Sequence, residues 1–261
     1  MKDDSFARTG LPDNILDSLN IQLLEKFRKY NSNGNNLFCS YMTIGQKYEN
    51  ELLVIGREPS YWLEDFSTAE LNKDMGPTFV FRAKARHPSL YGRDSLCPLN
   101  YVTDLWGETE NRRKYDTSYN SMLDPFWCCA KEIVMKLGIC KDEKNWSSYI
   151  ALTYLYKIAY SSNKYLFEKP RLMQLEHCKE MLQLELSILK PKRILFLTGM
   201  KHAQDFLNLS DCKELEKYVC PLGEFEYDGH KAQTVVSVNP KKYPREELVN
   251  LILEEFNYNF P

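Results

Sequence analysis

The stretch Arg193-Ile194-Leu195-Phe196-Leu197-Thr198-Gly199 constrains the fold more than any other part of the chain. Successive side chains of a strand point to opposite faces, so an unbroken apolar run requires that both faces be covered. Leu52-Leu53-Val54-Ile55 repeats the pattern and runs straight into Gly56, and Thr234-Val235-Val236-Ser237-Val238 leads into Asn239-Pro240. Strands of this kind belong to a mostly parallel sheet with helices on both sides. The ligand site of such a sheet lies at the carboxyl ends of its strands.

Helical periodicity supplies the covering layers. Leu16, Leu19, Leu23, Leu24 and Phe27 fall on one stripe after Pro12-Asp13, predicting an N-terminal helix that ends near Asn31–Gly34. Further helices are expected over 125–137 and 170–189, the second carrying Leu175, Cys178, Leu182, Leu186 and Leu189 on one face. A helix over 200–207 follows the strand at 193–199, a hairpin is expected around Gly223 and Asp228-Gly229, and a final helix starts at Pro244. The segment Ile150–Ala159 reads equally as a core strand or a helix. No internal repeat or linker divides the chain, so its 261 residues are expected to form one domain, with an N-terminal helical extension over about 1–35.

From Tyr61 to about Asn120 periodicity fails, and prolines, aromatic residues and basic residues accumulate; residues 82–120 read as an insert. No run approaches the roughly 18 apolar residues that a membrane-spanning helix needs, and Met1–Ser5 has no apolar core of a secretion signal, so a cytoplasmic protein is expected. The eight cysteines form no Cys-x-x-Cys pair and have no histidine at a zinc-like spacing. Free thiols, no metal and no cofactor are therefore expected. With a net charge of −2 the chain is no general nucleic-acid coater, so any basic surface must be local.

Two strand ends carry unusual chemistry. Gly56-Arg57-Glu58-Pro59-Ser60-Tyr61 combines a glycine that allows close backbone approach, a carboxylate and a rigid proline. Ser237-Val238-Asn239-Pro240-Lys241-Lys242-Tyr243-Pro244-Arg245 offers a side-chain amide and three cations ahead of a helix. Each alone also reads as an ordinary turn with solvated charges.

Together with Thr153-Tyr154-Leu155-Tyr156-Lys157, and in this order, these segments resemble the uracil-DNA glycosylase superfamily. The passage Glu185–Gly199 also looks like that family's helix-to-strand connection, so the resemblance spans roughly residues 45–255. It implies an α/β three-layer sandwich around a mostly parallel sheet of four to five strands, acting as a monomer on a base flipped out of duplex or single-stranded DNA. By this resemblance Glu58 handles the attacking water and Asn239 stands where the family has an electrophilic histidine. Gly56, Arg57, Pro59, Tyr61 and Tyr154 would line the base pocket, with Phe79 or Phe81 as its aromatic floor. Ser60, Ser237, Lys241, Lys242, Tyr243 and Arg245 would contact DNA.

Two departures bear on substrate. Tyr154 replaces the amide that reads a uracil edge, and a tyrosine cannot supply its paired donor and acceptor. Asn239 can donate a hydrogen bond but does not titrate as imidazole does. The resemblance thus implies a glycosylase for a modified or damaged base other than plain uracil, such as a hypermodified pyrimidine of phage DNA, with a repair or antiphage role. A catalytically silent nucleic-acid-binding relative and an unrelated nucleotide-handling α/β hydrolase are the alternatives. Against the last, neither of the common glycine-rich phosphate motifs is present.

Overall fold

The computed structural model describes residues 13–30, 37–40, 42–59, 99–107, 119–160, 168–207 and 219–258. Among them a six-stranded sheet has the order β2(Thr43–Ile44), β4(Ala151–Tyr154), β3(Leu52–Gly56), β6(Arg193–Phe196), β8(His230–Ser237), β7(Val219–Tyr227). The four inner strands are parallel. Both edges are antiparallel, β2 on β4 and β7 on β8. The sheet therefore has one to two strands more than the four to five expected. The additions are edges: a two-residue strand too short to show a period, and a strand interrupted by a bulge between Pro221 and Gly223.

The apolar runs do what their sequence requires. Leu52 and Val54 of β3 face one core with Leu195 and Val235, while Leu53 and Ile55 face another with Ile194, Phe196 and Val236. The first core is closed by α3(Pro125–Lys136) and α6(Arg245–Tyr258), and the second by α4(Glu168–Leu189) and α5(Met200–Ala203). Helices on both faces are compatible with a three-layer sandwich. Residues 99–107, expected to lie within an insert, are integral to the first core. There α2(Asn100–Asp104) buries Val102, and Leu99 and Leu105 flank it.

The ambiguous segment 150–159 resolves into two strands, because Leu155–Lys157 bend the chain out of β4 before β5(Ile158–Tyr160). β5 pairs antiparallel with β1(Leu37–Cys39), and this small sheet packs with α1(Asp13–Tyr30) against α4 through Leu23, Leu24, Phe27 and Cys178. The N-terminal helix is thus docked. The helix expected over 200–207 is regular only over Met200–Ala203, and that expected from 170 starts at Glu168. In the β7–β8 hairpin Asp228 and Gly229 have φ of 45° and 70°, the left-handed pair a two-residue turn demands.

Cys39, Cys128, Cys129, Cys140 and Cys178 are free and buried. Burial pushes the thiols of Cys39, Cys129 and Cys178 up to about 12, which makes them inert packing groups. No described helix is long and apolar enough to cross a membrane.

Candidate functional site

Strand order fixes where a ligand can sit. The chain leaves β3 for β4 on one side, then returns over β3 to β6 and continues to β8, so connections diverge at the carboxyl ends of β3 and β6. A crevice at such a reversal is where open α/β sheets bind ligands. The two loops singled out by sequence, Gly56–Pro59 and Asn239–Lys242, flank it from β3 and β8.

Gly56 is required here by contact rather than by backbone angle. A methyl group on it would stand 2.6 Å from Cε1 and 2.7 Å from Cδ1 of Tyr154, far inside van der Waals contact. Tyr154 therefore lies with its ring against the β3 end, 8% exposed and part of the first core. Arg57 and Tyr156 are tied by the backbone, Tyr156 N–H donating to Arg57 O at 2.9 Å, which extends the β3–β4 pairing into both loops.

Glu58 accepts a 2.6 Å charge-assisted bond from Arg57 Nη2, and its side chain is only 7% exposed. A carboxylate so shielded and clamped is preorganised to act on a group brought to it. Pro59, next in the chain, is buried.

At the other strand end, Asn239 caps a short 3-10 turn over Pro240–Lys242, its Oδ1 accepting from Lys241 N–H at 3.0 Å. That contact fixes the amide with its NH2 group as the donor left for a ligand. The β6 end is drawn alongside, since Gly199 N–H donates to Ser237 O at 3.0 Å. Gly199 has φ of 86°, a left-handed value that a side chain would strain.

The residues predicted as DNA contacts separate. Ser237 is buried, its hydroxyl donating to Val238 O, and Tyr243 packs on the first core. Lys241 and Lys242 are exposed beside the crevice. Arg245 turns away to α3, where Nε meets Glu132 Oε1 at 2.7 Å. Ser60, Tyr61, Phe79 and Phe81 lie outside the described residues. Among the described residues no group of three or more His, Cys, Asp or Glu could hold a metal ion.

Two networks beside β4 were not read from sequence. Lys157, 1% exposed, sends Nζ to Thr153 Oγ1 at 2.7 Å and to Glu185 Oε1 and Oε2 at 2.8 and 2.7 Å. Gln174 of α4 accepts from the N–H groups of Lys157 and Ile158 and donates to Ile158 O. Toward the crevice, Arg171 Nη1 lies 3.2 Å from His202 Nδ1, and Tyr156 O–H donates to Asp205 Oδ2 at 3.1 Å. The Thr153…Lys157 and Leu182–Glu185 spacings carried the buried pair in plain view; a polar stripe inside an apolar α4 face was its signal. His202 had none, since it sits in an ordinary helix start and meets Arg171 only through topology.

No protein-family model matches this chain, and no curated protein matches it.

Proposed function

We propose that this chain is a DNA glycosylase of the uracil-DNA glycosylase fold. It hydrolyses the N-glycosidic bond of a flipped-out modified or damaged base and does not favour plain uracil. The observation that carries the reading is the placement of Glu58 and Asn239. They end strands β3 and β8, which are separated by β6 alone, so the strand axes stand about 10 Å apart, roughly the span of a nucleoside.

Glycosidic cleavage develops positive charge on the sugar and negative charge on the departing base. A carboxylate on one side stabilises the sugar cation and orients a water for attack at its anomeric carbon. A neutral N–H donor on the other side stabilises the leaving base. Glu58 and the Asn239 amide have these two characters. The position that would read a plain pyrimidine edge holds Tyr154, whose ring is packed on Gly56, and this favours a base recognised by its modification. A hypermodified pyrimidine of phage DNA is the substrate class so favoured, with a repair or antiphage role.

One observation favours a second reading, that of a silent DNA-binding relative. Asn239 already spends its carbonyl on Lys241, and no histidine stands at that strand end. The test is a panel of duplexes and single strands carrying uracil, damaged bases or hypermodified cytosines, treated with protein and then alkali. The glycosylase reading predicts breaks at one modified base that vanish with Glu58→Gln. Retained binding with no breaks on any substrate supports the silent relative instead.

A further inference from the structure

Separate strand ends and helices bring cations to one place. Arg57 follows β3, Lys201 and His202 lie on α5 after β6, Lys242 follows β8, and Arg171 lies in the first turn of α4. His202 is at their centre: it touches Arg171 at 3.2 Å and meets the edge of the Tyr156 ring at 6.2 Å between centroids. Burial and the charges of Arg57, Arg171, Lys201 and Lys242 push the imidazole down to about 4, so it is neutral at physiological pH.

The chemistry of the contact fixes the proton. A guanidinium has only donors, so Nδ1 must accept from Arg171 and the ring hydrogen sits on Nε2. Nothing among the described residues bonds that Nε2, and the Tyr156 hydroxyl beside it is held by Asp205. His202 is thus a donor of fixed tautomer set among cations to which it adds no charge.

Five other cations show the usual arrangement. Lys131, Lys179, Lys192, Arg193 and Arg245 each pair with a glutamate. Among the described residues no carboxylate pairs with Arg171, Lys201 or Lys242. Arg57 has Glu58 as its partner, whereas Arg171, Lys201 and Lys242 repel one another, and an anion arriving beside them relieves that repulsion while meeting donors already aimed.

We propose that Arg171 and His202 are the two fixed donors of a phosphate-binding pocket beside the Glu58 loop, with Lys242 and Lys201 supplying the surrounding charge. The Arg171 fork takes two phosphate oxygens or one, and His202 Nε2–H takes another. The site itself does not depend on the glycosylase reading. Only the expectation that the phosphate belongs to a DNA strand rests on it.

The test uses the full chain and three probes without an excisable base. They are inorganic phosphate, a single-stranded oligonucleotide without terminal phosphate, and the same strand 5′-phosphorylated. Calorimetry is expected to show that Arg171→Ala and His202→Phe each weaken at least one probe about tenfold or more. His202→Gln, which keeps an N–H donor, should stay close to wild type. Loss on the unphosphorylated strand identifies an internal phosphodiester, and loss confined to the other two identifies a terminal or free phosphate. Nitrogen NMR of the wild-type protein should show the Nε2–H tautomer of His202 without any variant having to fold. The proposal is overturned if no probe binds, if neither substitution changes any affinity, if His202→Gln loses as much as His202→Phe, or if the ring is protonated at neutral pH. Since no probe carries a modified base, these outcomes stand apart from success or failure of base excision.

Discussion

Two polar clusters flank the bend after β4, and they are built on opposite terms. In the first, Lys157, Glu185 and Thr153 are sealed under α4, and the ammonium spends its donors on three protein oxygens. In the second, Arg171 and His202 are half-buried, the imidazole has a donor left over, and no carboxylate among the described residues neutralises the arginine. A saturated network has nothing to offer a ligand and serves to hold the chain where it turns. An unsaturated one faces the crevice with its capacity unspent. The contrast separates what keeps the strand ends in place from what they present.

The most disruptive way to probe the contrast is to halve the closed cluster. Glu185→Ala leaves a buried ammonium without its partner and is expected to lower stability by about 3–5 kcal/mol. The double variant Lys157→Met, Glu185→Leu should recover most of that loss. Denaturant titration of the three proteins checks both, and equal destabilisation of single and double variants would remove the pairing argument.

Next comes Glu58→Gln, expected to lower base excision at least a hundredfold, about 2.7 kcal/mol in barrier, with little change in unfolding. A comparable fall in thermal stability would mean that the Arg57 contact is structural.

Acid sharpens the comparison from the open side. The folded-state pKa of His202 is depressed to about 4 from the ordinary 6.5, chiefly by burial and then by Arg57. The unfolded chain therefore binds the extra proton first as pH falls. Stability from this group is full above about 6.5, declines through the interval down to about 4, and is flat below. Because the ring is only half-buried, screening reduces the loss to the order of 1–2 kcal/mol. Comparing wild type with His202→Gln between pH 7 and 4 isolates it, and parallel profiles would contradict the neutral imidazole.

The smallest effect belongs to Arg245, whose Glu132 pair lies at the surface. Arg245→Ala should cost about 0.5 kcal/mol in stability and change oligonucleotide affinity less than Arg171→Ala does.

The sequence made the frame legible wherever burial acts on contiguous residues. β3, β6 and β8 announce themselves because strands covered on both faces need runs of apolar side chains, and the Asp228-Gly229 turn because its backbone angles admit few residues. β2 and the β1–β5 pair escaped, being two or three residues long, while of β7 the hairpin was legible but not its length or its bulge. At the site, the loops bearing Glu58 and Asn239 were visible because their residue types are unusual after apolar strands. Tyr154 was visible as a position but not as a packed ring, since its contact with Gly56 depends on the register between β3 and β4. Arg171 and His202 were invisible, lying 31 residues apart on two helices that only the crossover brings together.

Under the proposed function, water breaks a glycosidic bond in the crevice between Glu58 and Asn239. The most direct test is mass spectrometry of a modified-base oligonucleotide incubated with the protein in 18O-labelled water. An intact free base and 18O at the anomeric carbon of the abasic sugar are expected, both absent with Glu58→Gln. A strand that is bound but returned with every base attached, or a base lost together with cutting of the strand before any alkali is added, overturns the hydrolytic reading.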